Sequence, residues 1–221
     1  MAKRFGRATE KTWRLMKIRQ EAIHKTYRKL PGRVMFPSSH DIFDFPHIEK
    51  ACFTVLEKLL ESGNDVLLTT KPRMNVIQKI DRMFSIHKRH LQFRFTITSN
   101  KDQLLGFWEP NAPRFQERMR SLRYAFKEEY KTSVSIEPFL DYDPVELVEL
   151  VAPFTTESIW IGRMNYIPRK IHFKKDRFYY EEIRKNYETD HLWEIYNELR
   201  EQPLIRFKDS IRIQLGVLTC V

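Results

Sequence analysis

Five short apolar runs, each closing on a knot of polar residues, constrain this chain more than any single motif does. They occupy residues 32–36 (running into the polar 37–41), 65–71, 91–99, 132–137 and 158–165. Most are separated by stretches with apolar residues at helical spacing. Strands that alternate with helices pair in parallel through right-handed crossovers, which sends every strand's carboxyl end to the same edge of the sheet. Ligand sites in parallel sheets and barrels are built at that edge. The expected fold is therefore α/β, and the polar knots mark a candidate site.

With 221 residues, 42% of them hydrophobic and 31% charged, the chain has the makings of one substantial core in an ordinary globular protein. It shows no secretory signal with an apolar centre and no apolar stretch of bilayer length, so the expectation is a cytoplasmic protein with no membrane partner. Two cysteines, Cys52 and Cys220, cannot form a disulfide framework and fit a reducing compartment.

The net charge of +10 is concentrated. Residues 1–33 hold eleven Lys and Arg against Glu10 and Glu21, whereas the other 188 residues hold 28 against 27. A local cationic segment attracts polyanions through counterion release, which makes nucleic acid a candidate partner; a solvated helix face accounts for the same charges equally well. The spacing predicts a helix over 9–27, with Trp13, Met16, Ile23 and Tyr27 near one face and Lys11, Arg14 and Lys17 mostly elsewhere. If this segment meets nucleic acid, neutralising Lys11, Arg14 and Lys17 together weakens binding and flattens its salt dependence. Absence of binding by the unaltered protein at low salt identifies a solvated face.

Further along, Pro46 suits a first helical position, and Ile48, Cys52, Val55, Leu56 and Leu59 form a stripe ending at Ser62, Gly63 and Asn64. Cys52 on that stripe reads as a buried structural thiol. A helix over 74–86 follows the second run. Residues 106–113 read as a loop. The next helix, over 114–129, has Phe115, Met119, Leu122 and Phe126 as its core face, with Arg114, Arg118, Arg120 and Arg123 largely off it and available in part to a ligand. In the fourth run Val134 and Ile136 point one way and Ser133, Ser135 and Glu137 the other. Polar side chains inside a barrel either satisfy one another or line a cavity. Asp143 reads as the cap of a short helix ending before Pro153, 177–200 is long helical material, and 204–207 and 211–215 are extended segments.

Other chemistries lack support. The histidines show no metal-ligand spacing with acidic or cysteine partners, no glycine-rich phosphate loop is present, and the adjacency of Ser38, Ser39, His40 and Asp41 argues against a hydrolase triad.

The ordered strings Met35-Phe-Pro-Ser-Ser-His-Asp-Ile42, Leu68-Thr-Thr-Lys-Pro72, Phe93-Arg-Phe-Thr-Ile97, Phe107-Trp-Glu-Pro-Asn-Ala-Pro113, Thr132-Ser-Val-Ser-Ile-Glu-Pro138 and Ile159-Trp-Ile-Gly-Arg-Met-Asn165 resemble the radical S-adenosylmethionine proteins, and within them the spore photoproduct lyase-like group. The resemblance covers about residues 4–210. It implies a partial parallel (β/α)6 barrel, here with strands two to six visible. Residues 1–33 then form a basic helical segment packed on the barrel, and 34–221 the barrel with a carboxyl-terminal helical extension, in one domain overall.

It also implies S-adenosylmethionine as cofactor, with Ser39 and His40, Lys71, Ser99, Ser135 with Glu137, and Asn165 as the residues that hold it at the strand ends. Ser39 and His40 have the alternative of capping a loop, Lys71 of being solvated, and Ser99 of bonding nearby backbone. Glu137 is the strongest choice, because a carboxylate on the polar side of an inner strand is costly unless paired or bound. Glu109 is read as the partner of Arg118.

The family's [4Fe-4S] cluster is held by three cysteines in a CxxxCxxC loop after the first strand, and the sequence contains no such loop. The expectation is that the first strand and the cluster loop belong upstream of Met1, through a start assigned too late or a truncated gene; a barrel reused without its cluster explains less well why polar strand ends persist. A complete relative would cleave S-adenosylmethionine to a 5′-deoxyadenosyl radical, whereas this chain alone is expected not to. An incomplete barrel would expose a strand edge near Val34 or Val66 and invite self-association.

Overall fold

The computed structural model describes residues 17–169, 171 and 173–217. Six strands, β1 (Arg33–Phe36), β2 (Asp65–Thr70), β3 (Leu91–Thr96), β4 (Lys131–Ile136), β5 (Ser158–Ile161) and β6 (Ile205–Phe207), form one parallel sheet in sequential order. Nine helices accompany them among the described residues: α1 (Gln20–His24), α2 (Pro46–Glu61), α3 (Met74–Phe84), α4 (Asp102–Trp108), α5 (Phe115–Lys127), α6 (Val145–Val151), α7 (Arg177–Lys185), α8 (Thr189–Leu199) and α9 (Asp209–Arg212). The sheet is an open, partial β/α barrel, with β1 and β6 at its two ends. No helix of the described residues is long and apolar enough to cross a membrane.

Register explains how the sheet divides its two faces. Matched positions in parallel strands share a face, and Val34 pairs with Val66, Leu68 with Phe93, Phe93 with Thr132, Val134 with Ile159 and Ile159 with Ile205. That face is almost wholly apolar. Most of its members join one core with Leu56, Ile77, Ile80, Leu122, Val148 and Leu192 of the helices. The opposite face carries Thr69, Gln92, Arg94, Thr96, Ser133, Ser135, Trp160 and Arg206, which is the alternation read from 133–137 extended across the sheet.

Helix boundaries follow local chemistry. α2 starts on Pro46 and buries Ile48, Cys52, Val55, Leu56 and Leu59. It stops where Gly63 adopts φ +74°, letting the Gly63 and Asn64 amides donate back to the Leu60 and Leu59 carbonyls. Pro144 is the N-cap of α6, and Asp143, read as the cap, stands one residue before it with its carboxylate accepting the Val145 amide at 2.8 Å.

Several expectations are corrected. The helix expected over 9–27 is confined, among the described residues, to Gln20–His24, and its portion before residue 17 lies outside them. The reason is competition from α2. Lys58 bonds the Ile23 carbonyl, Ser62 the Tyr27 carbonyl at 2.8 Å, and Asn64 both the Arg28 carbonyl at 3.1 Å and the Leu30 amide at 2.8 Å, so this segment gives its backbone to the end of α2. Residues 106–108, read as part of a loop over 106–113, instead belong to α4. The long helix over 177–200 breaks where the Asn186 side chain turns to the Leu140 and Asp141 carbonyls at 3.1 and 2.8 Å. The extended segment read at 204–207 is borne out as a sixth strand pairing with β5, whereas 211–215, also read as extended, is the end of α9 and the turn after it. Val66 is not at an edge, since β2 sits between β1 and β3; Val34 is on the terminal strand. On α5, Phe126 is exposed and Arg118 is buried, the reverse of the expected core face.

Candidate functional site

Because all six strands run the same way, the residues that follow them, Pro37–Asp41, Lys71, Ile97–Ser99, Glu137, Gly162–Asn165 and Lys208, gather along one edge. Three polar clusters stand there.

The first joins the loops after β1, β2 and α4. The Asp41 carboxylate accepts the Lys71 amide at 2.7 Å and lies 3.6 Å from the Lys71 ammonium, which is itself 3.8 Å from Glu109. Glu109 is bonded at 2.5 Å by the fully buried Arg118, which also donates to the Pro113 carbonyl at 2.8 Å and the Thr96 carbonyl at 3.2 Å. Arg118 is therefore held by the protein and is not presented to a ligand, while its pairing with Glu109 agrees with the sequence reading. An open pocket of about 250 Å³ adjoins this cluster, lined by Asp41, Lys71, Arg73, Glu109 and the rings of Phe43 and Trp108.

The second cluster is structural in geometry. Ser99 is fully buried, donates to Asp141 at 2.9 Å and accepts the Lys101 amide at 2.9 Å; the Lys101 ammonium lies 3.5 Å from Asp141. Burial pushes the Asp141 carboxyl above its ordinary range, against the opposing pull of the Ser99 hydrogen bond and the Lys101 charge. A raised folded-state pKa means the native state holds the proton more tightly than the unfolded chain. Asp141 thus contributes stability that is full below the ordinary carboxylate pKa and is lost as pH rises through the folded value. Asp141→Asn is expected to remove that part of the pH dependence of the urea midpoint; an unchanged profile contradicts the assignment.

The third cluster spans β3 to β6. Glu137 lies 3.2 Å from the Lys208 ammonium, and Lys208 and Arg94 stand over the Trp160 ring at 5.0 and 5.4 Å from its centroid. Between Glu137 and Lys208 passes Gly162, where a Cβ would come within 2.9 Å of the Cγ of each. Glycine is required here so that two side chains can meet across the intervening strand.

The seven residues expected at the site are thus distributed along one edge, and no two of them are joined by a hydrogen bond or ion pair among the described residues. Lys71, Ser99 and Glu137 each anchor a different cluster. Ser135 is buried on the polar face beside Thr96 and Trp160 in register. Ser39 and Asn165 are exposed. His40 is exposed as a residue, but its ring leans on α2 with Nε2 3.6 Å from the Cys52 sulfur, and desolvation of the ring lowers its pKa although Asp41 pulls the other way. Of the basic trio, Lys17 is exposed, while Lys11 and Arg14 lie outside the described residues.

Asp41, Asp141 and Lys208 belong to the site and were not among those expected. Asp41 had a signal in the sequence, as the last member of the knot that includes His40. Lys208 had a weaker one, standing directly after the extended segment read at 204–207.

Cys52 is buried and its thiol is pushed up to about 11, first by burial and then by Glu49. Cys220 lies outside the described residues. No group of three or more His, Cys, Asp or Glu side chains able to hold a metal ion occurs among the described residues. Three thiolates for a [4Fe-4S] cluster are not available from two cysteines, so the residues present do not fit that group.

No protein-family model matches the chain. Over 141 residues it is 25% identical to the uncharacterized protein ORF301 of Acidianus two-tailed virus, covering 61% of this chain and 46% of that protein. Among solved structures, Streptococcus suis SuiB bound to S-adenosylmethionine superposes with a TM-score of 0.52 at 9% identity, over 86% of this chain and 42% of SuiB. SuiB in a second structure gives 0.51 at 10% identity, over 84% and 41%. The chain spans less than half the length of each of these proteins, and at this identity the likeness to SuiB is one of fold: an open parallel β/α barrel shared with a protein that binds S-adenosylmethionine.

Proposed function

We propose that this chain is a radical S-adenosylmethionine-type protein of the spore photoproduct lyase-like group, that it binds S-adenosylmethionine at the carboxyl edge of the sheet, and that the polypeptide as given does not cleave it. The observation that supports binding most strongly is the polar carboxyl edge of an open parallel barrel whose fold is shared with a protein crystallised with S-adenosylmethionine. The chemistry of the edge suits such a zwitterion. Lys71 and Arg73 supply charge for a carboxylate beside the Phe43 and Trp108 rings, and Asp41, Glu109 and Glu137 supply acceptors for ammonium and hydroxyl groups. All of these charges except Arg73, which bonds the Asn111 carbonyl at 2.8 Å, are already ion-paired within the protein, so binding there exchanges internal pairs for ligand contacts.

Titration calorimetry with S-adenosylmethionine tests the reading. Saturable binding is expected, with Glu137→Gln weakening it by about tenfold, the value of one charge-assisted hydrogen bond. Anaerobic reconstitution with iron and sulfide is expected to leave no stoichiometric cluster and to release no 5′-deoxyadenosine. A cluster with cofactor cleavage would refute the second half of the proposal, and absence of binding the first.

A further inference from the structure

The polar face of the sheet is well satisfied at its lower level. Gln92 donates to Ser133 at 2.6 Å, Ser133 and Ser158 share a hydrogen bond at 3.1 Å, and the Trp160 indole donates to Ser158 at 3.0 Å. Arg33 joins the same row through Gln92. At the β2–β3 end of the register row that contains Ser133 and Ser158 the pattern fails. Thr69 of β2 and Arg94 of β3 are matched in register and so sit side by side on this face. Thr69 Oγ1 and Arg94 Nε are both shut off from solvent without a hydrogen-bond partner among the described residues. Buried polar atoms are normally paired, and two adjacent orphans on one face call for a shared partner.

Their chemistry says what that partner is. A guanidinium only donates and a hydroxyl is able to donate, so the missing group is an acceptor. The charges around it are mainly positive. Arg94 has no ion pair among the described residues, Arg33 is bonded to a neutral amide, and Lys208 shares the Trp160 ring with Arg94. Among the described residues the carboxylate whose charge acts on Arg94 is Glu137, and it is engaged by Lys208 at 3.2 Å. Desolvation, then the proximity of Arg33, holds the Arg94 pKa down, with Glu137 opposing, as expected for like charges gathered without a counterion.

We propose that the part of the inner face around Thr69 and Arg94, beside the Trp160 ring, binds the phosphate group of a small ligand. Phosphate is favoured over carboxylate by the number of donors. The two oxygens of a carboxylate are satisfied by the arginine fork, whereas a phosphate dianion also has an oxygen for the Thr69 hydroxyl and charge enough for a second cation. The site adjoins the Glu137–Lys208 pair of the carboxyl edge, but Thr69, Arg94 and Trp160 are not among the residues assigned to S-adenosylmethionine, and the proposal does not rest on that assignment.

Inorganic phosphate titrated into the whole chain, followed by phosphorus NMR line width, tests it. Saturable binding is expected. Arg94→Met is expected to lower affinity by about tenfold or more, and Thr69→Val by a smaller factor, as for a charged and a neutral hydrogen bond. Both variants should melt no lower than the parent, since each removes an orphaned polar atom and keeps the side-chain volume nearly constant. Thr69→Val keeps the test decisive even if Arg94→Met fails to fold. No saturable binding up to about 10 mM, beyond the weak end of specific recognition, or binding unchanged in Thr69→Val and in a folded Arg94→Met, overturns the proposal. Malonate binding as tightly as phosphate overturns the choice of phosphate.

Discussion

Arg118→Ala is expected to destabilise the protein by about 3–5 kcal/mol, the range seen when one partner of a buried ion pair is removed. The guanidinium is fully buried and reaches in three directions, to the Pro113 carbonyl, the Thr96 carbonyl and the Glu109 carboxylate. Its removal leaves two carbonyls without this donor and a mostly buried carboxylate whose remaining cation, Lys71, is 3.8 Å away. Arg118→Lys keeps the charge but not the planar fork, so it should recover only part of the loss. The effect reaches the site because Glu109–Pro113 line the pocket beside Lys71 and Asp41. A urea unfolding series on the parent, Arg118→Ala and Arg118→Lys checks the order. A loss under 1 kcal/mol for the alanine variant would show that the loop is held by something else.

Arg118 also shows where sequence periodicity stops. Phe115, Met119 and Leu122 mark the stripe of α5 correctly, and an arginine beside that stripe reads as surface by its type alone. Its pairing with Glu109, nine residues earlier, is legible in the sequence, but its burial also depends on the Pro113 carbonyl and on a carbonyl of β3, and no local pattern carries those contacts. The apolar runs were legible as strands because each repeats a period of two or is continuously apolar over four to six residues. β6 has only Ile205, Arg206 and Phe207, too little for a period to appear. The basic amino-terminal segment misled for a different reason. Its spacing is helical, but Ser62, Asn64 and Lys58 of the α2 terminus bond its carbonyls and so outcompete its own helix. At the site, strand order placed Lys71, Ser99 and Glu137 on the right edge. Their partners Asp41, Asp141 and Lys208 come from other segments of the chain, and only the folded sheet brings them together.

Gly162→Ala is expected to cost about 1–3 kcal/mol, as for overpacking of a close contact, and to weaken S-adenosylmethionine binding about as much as Glu137→Gln does. The added methyl group would stand 2.9 Å from Cγ of both Glu137 and Lys208 and 3.0 Å from the Glu137 carboxyl carbon, so the pair that crosses β5 must separate. Backbone propensity alone predicts the opposite sign, because alanine restricts the unfolded chain more than glycine. A double-mutant cycle separates the two effects. If the clash with Glu137 dominates, Gly162→Ala should be markedly less destabilising in a Glu137→Ala background, with a coupling of about 0.5–3 kcal/mol between contacting sites. Strict additivity would place the cost of the methyl group elsewhere, on Lys208 or the backbone. A Gly162→Ala protein with full stability and unchanged cofactor affinity would remove Gly162 from the site and, with it, the reason for Glu137 and Lys208 to meet across that strand.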